Sequence, residues 1–258
     1  MIAYALSGTP KQAEYATIIA THLIDEELSL EILDEIVVNL SLDDPNIMAR
    51  LISLSELACF KPDSFDAHHS AILEFIVQKI IMEKESEKDE WNEWIEFNEL
   101  KSAGQLKVIS IRILVNRLLH GHIDTQSPFI VKTLNLVRKI LRSNGDIRQD
   151  GSISPTVQMH MKYECAIAML KFSKFKWFLS MIDNQDFVHL ALVMQDPNYV
   201  IRNRFLEKLT ESLLIKSCPF YYTVIIALAA LDPERELREQ AKRFLTRFSR
   251  DKRTGLFD

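Results

Sequence analysis

The sequence predicts an all-α protein: a HEAT-type α-solenoid of about six stacked antiparallel helix pairs. Three observations carry this reading. Glycine and proline number only 6 and 8 in 258 residues, too few for a turn-dense β chain. Apolar residues recur at spacings of three and four along most of the chain, and no alternating strand pattern stands out. A short motif, Asp-Pro with an arginine six residues after the aspartate, occurs at Asp44–Arg50, Asp196–Arg202 and Asp232–Arg238. The last two copies begin 36 residues apart and the first two 152 apart, four periods of 38. Periods of that size belong to paired-helix repeats that bury their faces only by stacking on one another.

Taken in order, the helices announce themselves by starts, stripes and breaks. Thr9, Pro10 and Gln12 form a start signal: a capping hydroxyl, proline at the first helical position and a glutamine reaching back. Asp44-Pro45 repeats the logic, with an aspartate placed to cap and a proline whose missing N–H costs nothing there. Leu106 to Leu119 is apolar on most sides, as a helix sandwiched between neighbours must be. Ile130, Leu134, Val137 and Leu141 make one apolar stripe. Asn144-Gly145 and Asp150-Gly151 break the chain, and Ser154-Pro155 starts it again. Asp196-Pro197 and Asp232-Pro233 open two more helices, with Tyr221 and Tyr222 at the head of the one between. About twelve helices result, in a single continuous solenoid segment over residues 1–258 with an acidic insert at about 83–99.

Charge is unevenly distributed. Residues 1–100 hold 6 basic and 21 acidic side chains, residues 101–189 hold 13 and 6, and residues 190–258 hold 12 and 9, within a net charge of −5. An acidic end and a basic end steer partners without fixing the fold. The longest apolar run, Pro219 to Leu231, is too short for a membrane span. The first ten residues lack the pattern of a secretory signal. Three scattered cysteines, Cys59, Cys165 and Cys218, suit a reducing compartment better than a disulfide scaffold or a zinc site.

Chemistry-bearing motifs are sparse. His68-His69 and His120-x-His122 lack the further ligands that a zinc site needs. Phosphate-binding loops, dinucleotide fingerprints and nucleophile elbows are missing, so neither catalytic residues nor a cofactor or metal is expected. The insert from Glu83 to Glu99 has eight acidic residues and two lysines. It carries Trp91, Trp94 and Phe97, which either tuck back onto the helices or present anchors to a partner. Near the C-terminus, Lys242, Arg243, Arg247, Arg250, Lys252 and Arg253 cluster, as a face for nucleic acid or acidic peptide or as a solvated helix surface.

The order of several segments resembles a known family. Gly8-Thr9-Pro10-Lys11-Gln12-Ala13 comes first, then Phe75-Ile76-Val77, Ile109 and Leu114-Val115-Asn116-Arg117-Leu118-Leu119. Ser143-Asn144-Gly145-Asp146-Ile147, Gly151 and Ile153-Ser154 follow. Asp196, Tyr199, Arg202, Phe205, Lys208 and Leu209 come next, then Pro219, Tyr222, Ala227, Leu228, Asp232-Pro233, Glu236, Arg238 and Ala241. Together these are similar to the cohesin regulators of the precocious-dissociation-of-sisters family, with departures at Leu237 and in the acidic insert. Members are much longer, so the resemblance implies a middle segment or a shortened relative.

The resemblance implies a non-catalytic, nuclear, chromatin-associated scaffold that binds the kleisin subunit of cohesin as an extended peptide. It also implies work alongside the wings-apart-like release factor and a cohesin acetyltransferase, and leaves direct DNA contact open. The period alone also permits an adaptor of nuclear transport or vesicle trafficking. The kleisin surface is expected at Tyr199, Lys208, Tyr222, Arg235 and Lys242, where aromatic and basic residues alternate. Tyr199, Arg202 and Phe205 follow one another at steps of three and Lys208 continues the run, with Arg202 and Phe205 assigned to the ladder between repeats and the core.

Overall fold

The computed structural model describes residues 1–23, 26–85, 92–120 and 127–253. Among them are fourteen α-helices and no strand, which bears out the all-α, HEAT-type expectation. The chain forms two compact units, one of residues 1–91 and 95–164, the other of residues 92–94 and 165–258.

The first unit contains α1 (Ile2–Ser7), α2 (Pro10–Leu23), α3 (Glu26–Val38), α4 (Ile47–Phe60), α5 (Pro62–Ala67) and α6 (His69–Glu74). A π-helical turn (Phe75–Ile81), a 3₁₀ turn (Phe97–Glu99), α7 (Ser102–Leu119), α8 (Pro128–Arg142) and the start of α9 (Pro155–Phe172) complete it. Thr9 and Gln12 form the expected reciprocal cap of α2, at 2.9 and 3.4 Å. Helix α4 lies between α2 and α7 and is buried nearly all round, through Ala49, Leu51, Leu54, Leu57 and Ala58. Its buried Ser53 accepts from the Thr17 hydroxyl at 2.8 Å and donates to the Ala5 carbonyl at 2.7 Å. A polar group inside the core is thereby satisfied and knits α1 and α2 to α4. The α8 stripe of Ile130, Leu134, Val137 and Leu141 is buried as its spacing requires.

Helix α7 is as apolar as predicted but buries two cations, Lys107 and Arg117. Lys107 Nζ donates to the carbonyls of Ile80, Ile81 and Glu83 at 2.7, 3.2 and 2.6 Å. Those carbonyls lie at and just beyond the end of the π turn, where the helical ladder of hydrogen bonds runs out. Burial pushes the Lys107 ammonium down to about 8, against the opposing pull of Glu85 and Glu83. At the start of α9, the Ser154 hydroxyl makes no capping bond; instead Glu85 Oε2 accepts from the Ser154 N–H at 2.8 Å. The break before α9 is real: Asn144 and Gly145 have φ of 54° and 90°. A Cβ on Gly145 would stand 2.1 Å from the Gln158 carbonyl oxygen, so only glycine fits.

The second unit contains the rest of α9, α10 (Lys176–Met181), α11 (Asn184–Ala191), α12 (Tyr199–Leu214), α13 (Thr223–Leu228) and α14 (Arg235–Arg253). Short 3₁₀ turns at Leu192–Gln195, Phe220–Tyr222 and Ala229–Leu231 join them. Phe172, Phe178, Phe205 and Tyr222 are fully buried and form much of its core.

The three Asp-Pro motifs share one geometry, which corrects the expected helix cap. Helices α4, α12 and α14 begin three residues after the aspartate, not at the proline. Asp44, Asp196 and Asp232 each accept, through Oδ1, the backbone N–H two residues on, at 2.8 Å in every copy. Each aspartate thus closes an Asx turn across the proline, and the chain enters the helix from that turn. In the second copy Asn198 is the cap, accepting from Val200 N–H at 2.9 Å. Of the three arginines, Arg202 is the one seen to connect its repeat to the next. Arg202 Nη1 donates to the Asp196 and Pro197 carbonyls of its own turn at 2.7 and 3.2 Å. Its Nε and Nη2 meet the Asp232 carboxylate of the following motif at 2.7 and 3.1 Å. Arg238 repeats the inner half, on the Asp232 and Pro233 carbonyls at 2.5 and 2.7 Å. In the first copy Arg50 Nε pairs with Asp44 itself at 2.5 Å.

Candidate partner-binding surface

Helix α14 divides cleanly into two faces. Leu237, Ala241 and Phe248 are buried, with Phe244 and Leu245 half-buried beside them. Arg235, Glu239, Lys242, Arg243, Thr246, Arg247, Ser249 and Arg250 are exposed. From Gln240 to Arg250 the helix has four basic residues and no carboxylate. At 100° per residue Arg235 and Lys242 fall on one line, with Arg243 and Arg250 beside them. Charge patterning, not packing, sets this outer face. Lys252 and Arg253 belong to the same cluster in sequence, but their side chains lie outside the described ones.

Tyr199, at the head of α12, is tied to the head of α14. Its hydroxyl donates to Glu236 Oε2 at 3.0 Å, and that bond raises the phenol above its ordinary range. Phe220 is half-exposed, and its ring stacks on Phe248 at 5.6 Å, which in turn stacks on Phe244 at 5.2 Å. This aromatic side of α14 borders Arg247 and lies opposite Arg235 and Lys242, so it is the exposed cations by themselves that suit an acidic segment.

The chain matches the family described as sister chromatid cohesion protein PDS5 over residues 1–256. It belongs to the PDS5 family. It is 28% identical over 240 residues to Schizosaccharomyces pombe sister chromatid cohesion protein pds5, covering 92% of this chain and 20% of that protein. It is 30% identical over 247 residues to the human PDS5 homolog A, covering 93% and 18%. The Xenopus laevis PDS5 homolog A-B is 30% identical over 246 residues, covering 93% and 18%. The chain thus spans about a fifth of the length of these relatives.

Not all the expected surface of this PDS5-family chain comes together. Arg235 and Lys242 share the α14 face, and Tyr199 is hydrogen-bonded to that helix. Tyr222 does not join them: it is fully buried, edge-on to Phe187 at 5.4 Å and Tyr221 at 5.1 Å, and burial pushes its phenol up. Its neighbour Tyr221 points outward, half-exposed, because adjacent residues of a 3₁₀ turn are about 120° apart. Lys208 is exposed but paired with Glu211 at 2.8 Å. Each step of three turns the helix back by 60°, so the run Tyr199, Arg202, Phe205, Lys208 ends opposite its start. Arg202 and Phe205 are buried, in their expected ladder and core roles.

The described part of the insert folds back onto the protein. In the first unit Phe97 lies under the Arg112 guanidinium at 4.8 Å, and the Ile95 carbonyl meets His160 Nε2 at 2.9 Å. In the second unit Trp94 lies under the Arg204 guanidinium at 4.9 Å. Trp91 lies outside the described residues, as does His122. The other histidines serve local structure: His68 Nε2 meets Asp34 at 2.9 Å, His69 Nδ1 the Asp66 carbonyl at 2.6 Å, and His120 Nδ1 the Asn116 carbonyl at 2.9 Å. Among the described residues no group of three His, Cys, Asp or Glu could hold a metal ion, and no helix is long and apolar enough to cross a membrane. Sequence reasoning missed Phe220; its signal was the phenylalanine spacing of four between Phe244 and Phe248, which marks the side of α14 that needs covering.

Proposed function

We propose that this chain is a non-catalytic HEAT-repeat segment of a regulator of sister chromatid cohesion, acting in the nucleus on chromatin. It holds an extended, acidic stretch of the kleisin subunit of cohesin along the outer face of α14, with Arg235 and Lys242 as charge contacts and Tyr199 at one end. The observation that carries this reading is the carboxylate-free run of exposed cations from Gln240 to Arg250. Family membership supports the cohesion role, because the relatives are named for it. Tyr222 and Lys208 drop out of the surface on geometric grounds. The wings-apart-like release factor and the cohesin acetyltransferase remain proposed partners of the longer protein.

Co-precipitation from nuclear extract tests the class of function. Recovery of cohesin subunits with the wild-type chain, and their loss with Arg235→Glu plus Lys242→Glu, supports the proposal. Recovery of a small GTPase or of coat components in their place supports a transport adaptor and overturns it.

A further inference from the structure

A groove in the first unit has no part in the α14 surface. One wall is α6 continuing into the π turn, which presents His69, Leu73 and Val77 at steps of four. The other wall is α8, which presents Phe129, Lys132, Leu136 and Lys139 at steps of three and four. The groove encloses about 750 Å³, within the range of sites that seat ligand side chains. Phe129 is buried at its base, with the His69 ring edge-on at 5.8 Å, while Leu73, Val77 and Leu136 are half-buried. From Pro128 to Lys139 the wall is about 17 Å long at 1.5 Å per residue, or three helical turns.

The two walls differ in charge. Helix α8 contains Lys132, Arg138, Lys139 and Arg142 and no carboxylate. Lys132 and Lys139 are exposed and have no ionic partner among the described residues. The facing wall offers one rim carboxylate, Glu74. A groove with an apolar floor, walled by helices, receives a helix whose anchors fall at i, i+3 or i+4, and i+7. A phosphate backbone would leave that floor uncovered. We infer that this groove docks a three-turn amphipathic helix from a partner protein, with an acidic flank turned toward α8 and a neutral or basic flank toward Glu74. The site is separate from the proposed kleisin surface and does not depend on it. A second copy of this chain is a poorer match. Its acidic helix α3 exposes Leu30 and Val38, eight residues apart, without the intermediate anchors.

The test uses the 258-residue chain and a designed, stapled three-turn peptide with leucines at i, i+4 and i+7 and glutamates on one flank. A peptide with lysines in place of the glutamates is the control. Fluorescence anisotropy should show the acidic peptide binding at least tenfold more tightly than the control. Lys132→Glu with Lys139→Glu should reverse that preference while the thermal melt stays unchanged, since both sites are exposed. Leu136→Glu should abolish binding of both peptides. Equal binding of the two peptides, or an acidic-peptide affinity indifferent to the lysine reversal, overturns the inference. A concentration-dependent dimer abolished by Leu136→Glu makes the occupant a second copy and overturns it too, as does duplex DNA binding that is lost with the same lysines while the acidic peptide fails to bind.

Discussion

Replacing Asp232 with alanine should be among the most damaging single changes in the second unit. Two losses combine. The Asx turn loses its acceptor for the Glu234 N–H, which costs about 1 kcal/mol as a lost local hydrogen bond. The Arg202 guanidinium loses a carboxylate held through two donors, at a site where both side chains are almost fully buried. Removing one partner of a buried pair costs about 3–5 kcal/mol, because the remaining charge is left uncompensated. Here the Asp196 and Pro197 carbonyls still hold Nη1, which keeps the second loss at its lower end, about 3 kcal/mol, and the total at about 4 kcal/mol. For a domain of this size each kcal/mol shifts Tm by about 2–4 °C, so a fall of roughly 8–16 °C is expected. Circular dichroism melts and urea midpoints read it directly. Asp232→Asn keeps the turn acceptor and should recover part of the loss. The double change Arg202→Met with Asp232→Leu should be less damaging than Asp232→Ala alone, because no charge is stranded. A loss below about 1 kcal/mol for Asp232→Ala, or a double variant as unstable as the sum of its singles, would refute the ladder argument.

Gly145→Ala should destabilise the first unit by more than about 2 kcal/mol, from the left-handed backbone and the contact with the Gln158 carbonyl together; Gly151→Ala, at φ 64° with open space around it, should cost only about 1 kcal/mol, and paired urea curves compare the two. Burial holds Lys107 at about 8 in the folded chain, below the ordinary value of about 10.4. Below pH 8 it is charged in both states and the burial cost is fully present; from pH 8 toward 10 the unfolded chain binds more protons, so stability rises, by about 2 kcal/mol. Urea midpoints at pH 7, 8.5 and 10 should show that rise, and Lys107→Met should remove it. Burial lowers His160 below the ordinary imidazole range, so the unfolded chain takes up protons first as pH falls and stability drops below about pH 6.5; His160→Gln should flatten that part of the profile.

How much of this was legible in the sequence varies with the physics of each element. Helices came through because their apolar periodicity is written residue by residue, as in Ile130 to Leu141, and because so little glycine or proline interrupts it. The repeat came through because Asp, Pro and Arg have fixed offsets, and with it the one link from Arg202 to Asp232, whereas Arg50 and Arg238 bond within their own motifs. The turn geometry did not, since Asp-Pro suits both a cap with proline at the first helical position and an Asx turn spanning the proline. Side-chain direction was harder still. Tyr221 and Tyr222 are chemically identical neighbours, and only the orientation of a short 3₁₀ turn decides which is buried. Lys208 was misplaced because a step of three approximates a helical face over two steps and fails over three. The π turn at Phe75–Ile81 leaves no mark in its composition. Its partner Lys107, a charge set among the apolar residues of α7, was the signal that a buried acceptor cluster faced it.

The central claim, that the outer face of α14 holds the kleisin subunit, is tested most directly by isothermal titration with a kleisin-derived peptide. Wild-type chain and the Arg235→Glu, Lys242→Glu variant are compared after melts confirm stabilities within about 1 kcal/mol, as expected of exposed sites. The account predicts micromolar binding that weakens at least tenfold in the variant and weakens further with added salt, as expected of exposed charge contacts. An affinity that is the same for both chains and insensitive to salt would place the kleisin surface elsewhere and contradict the account.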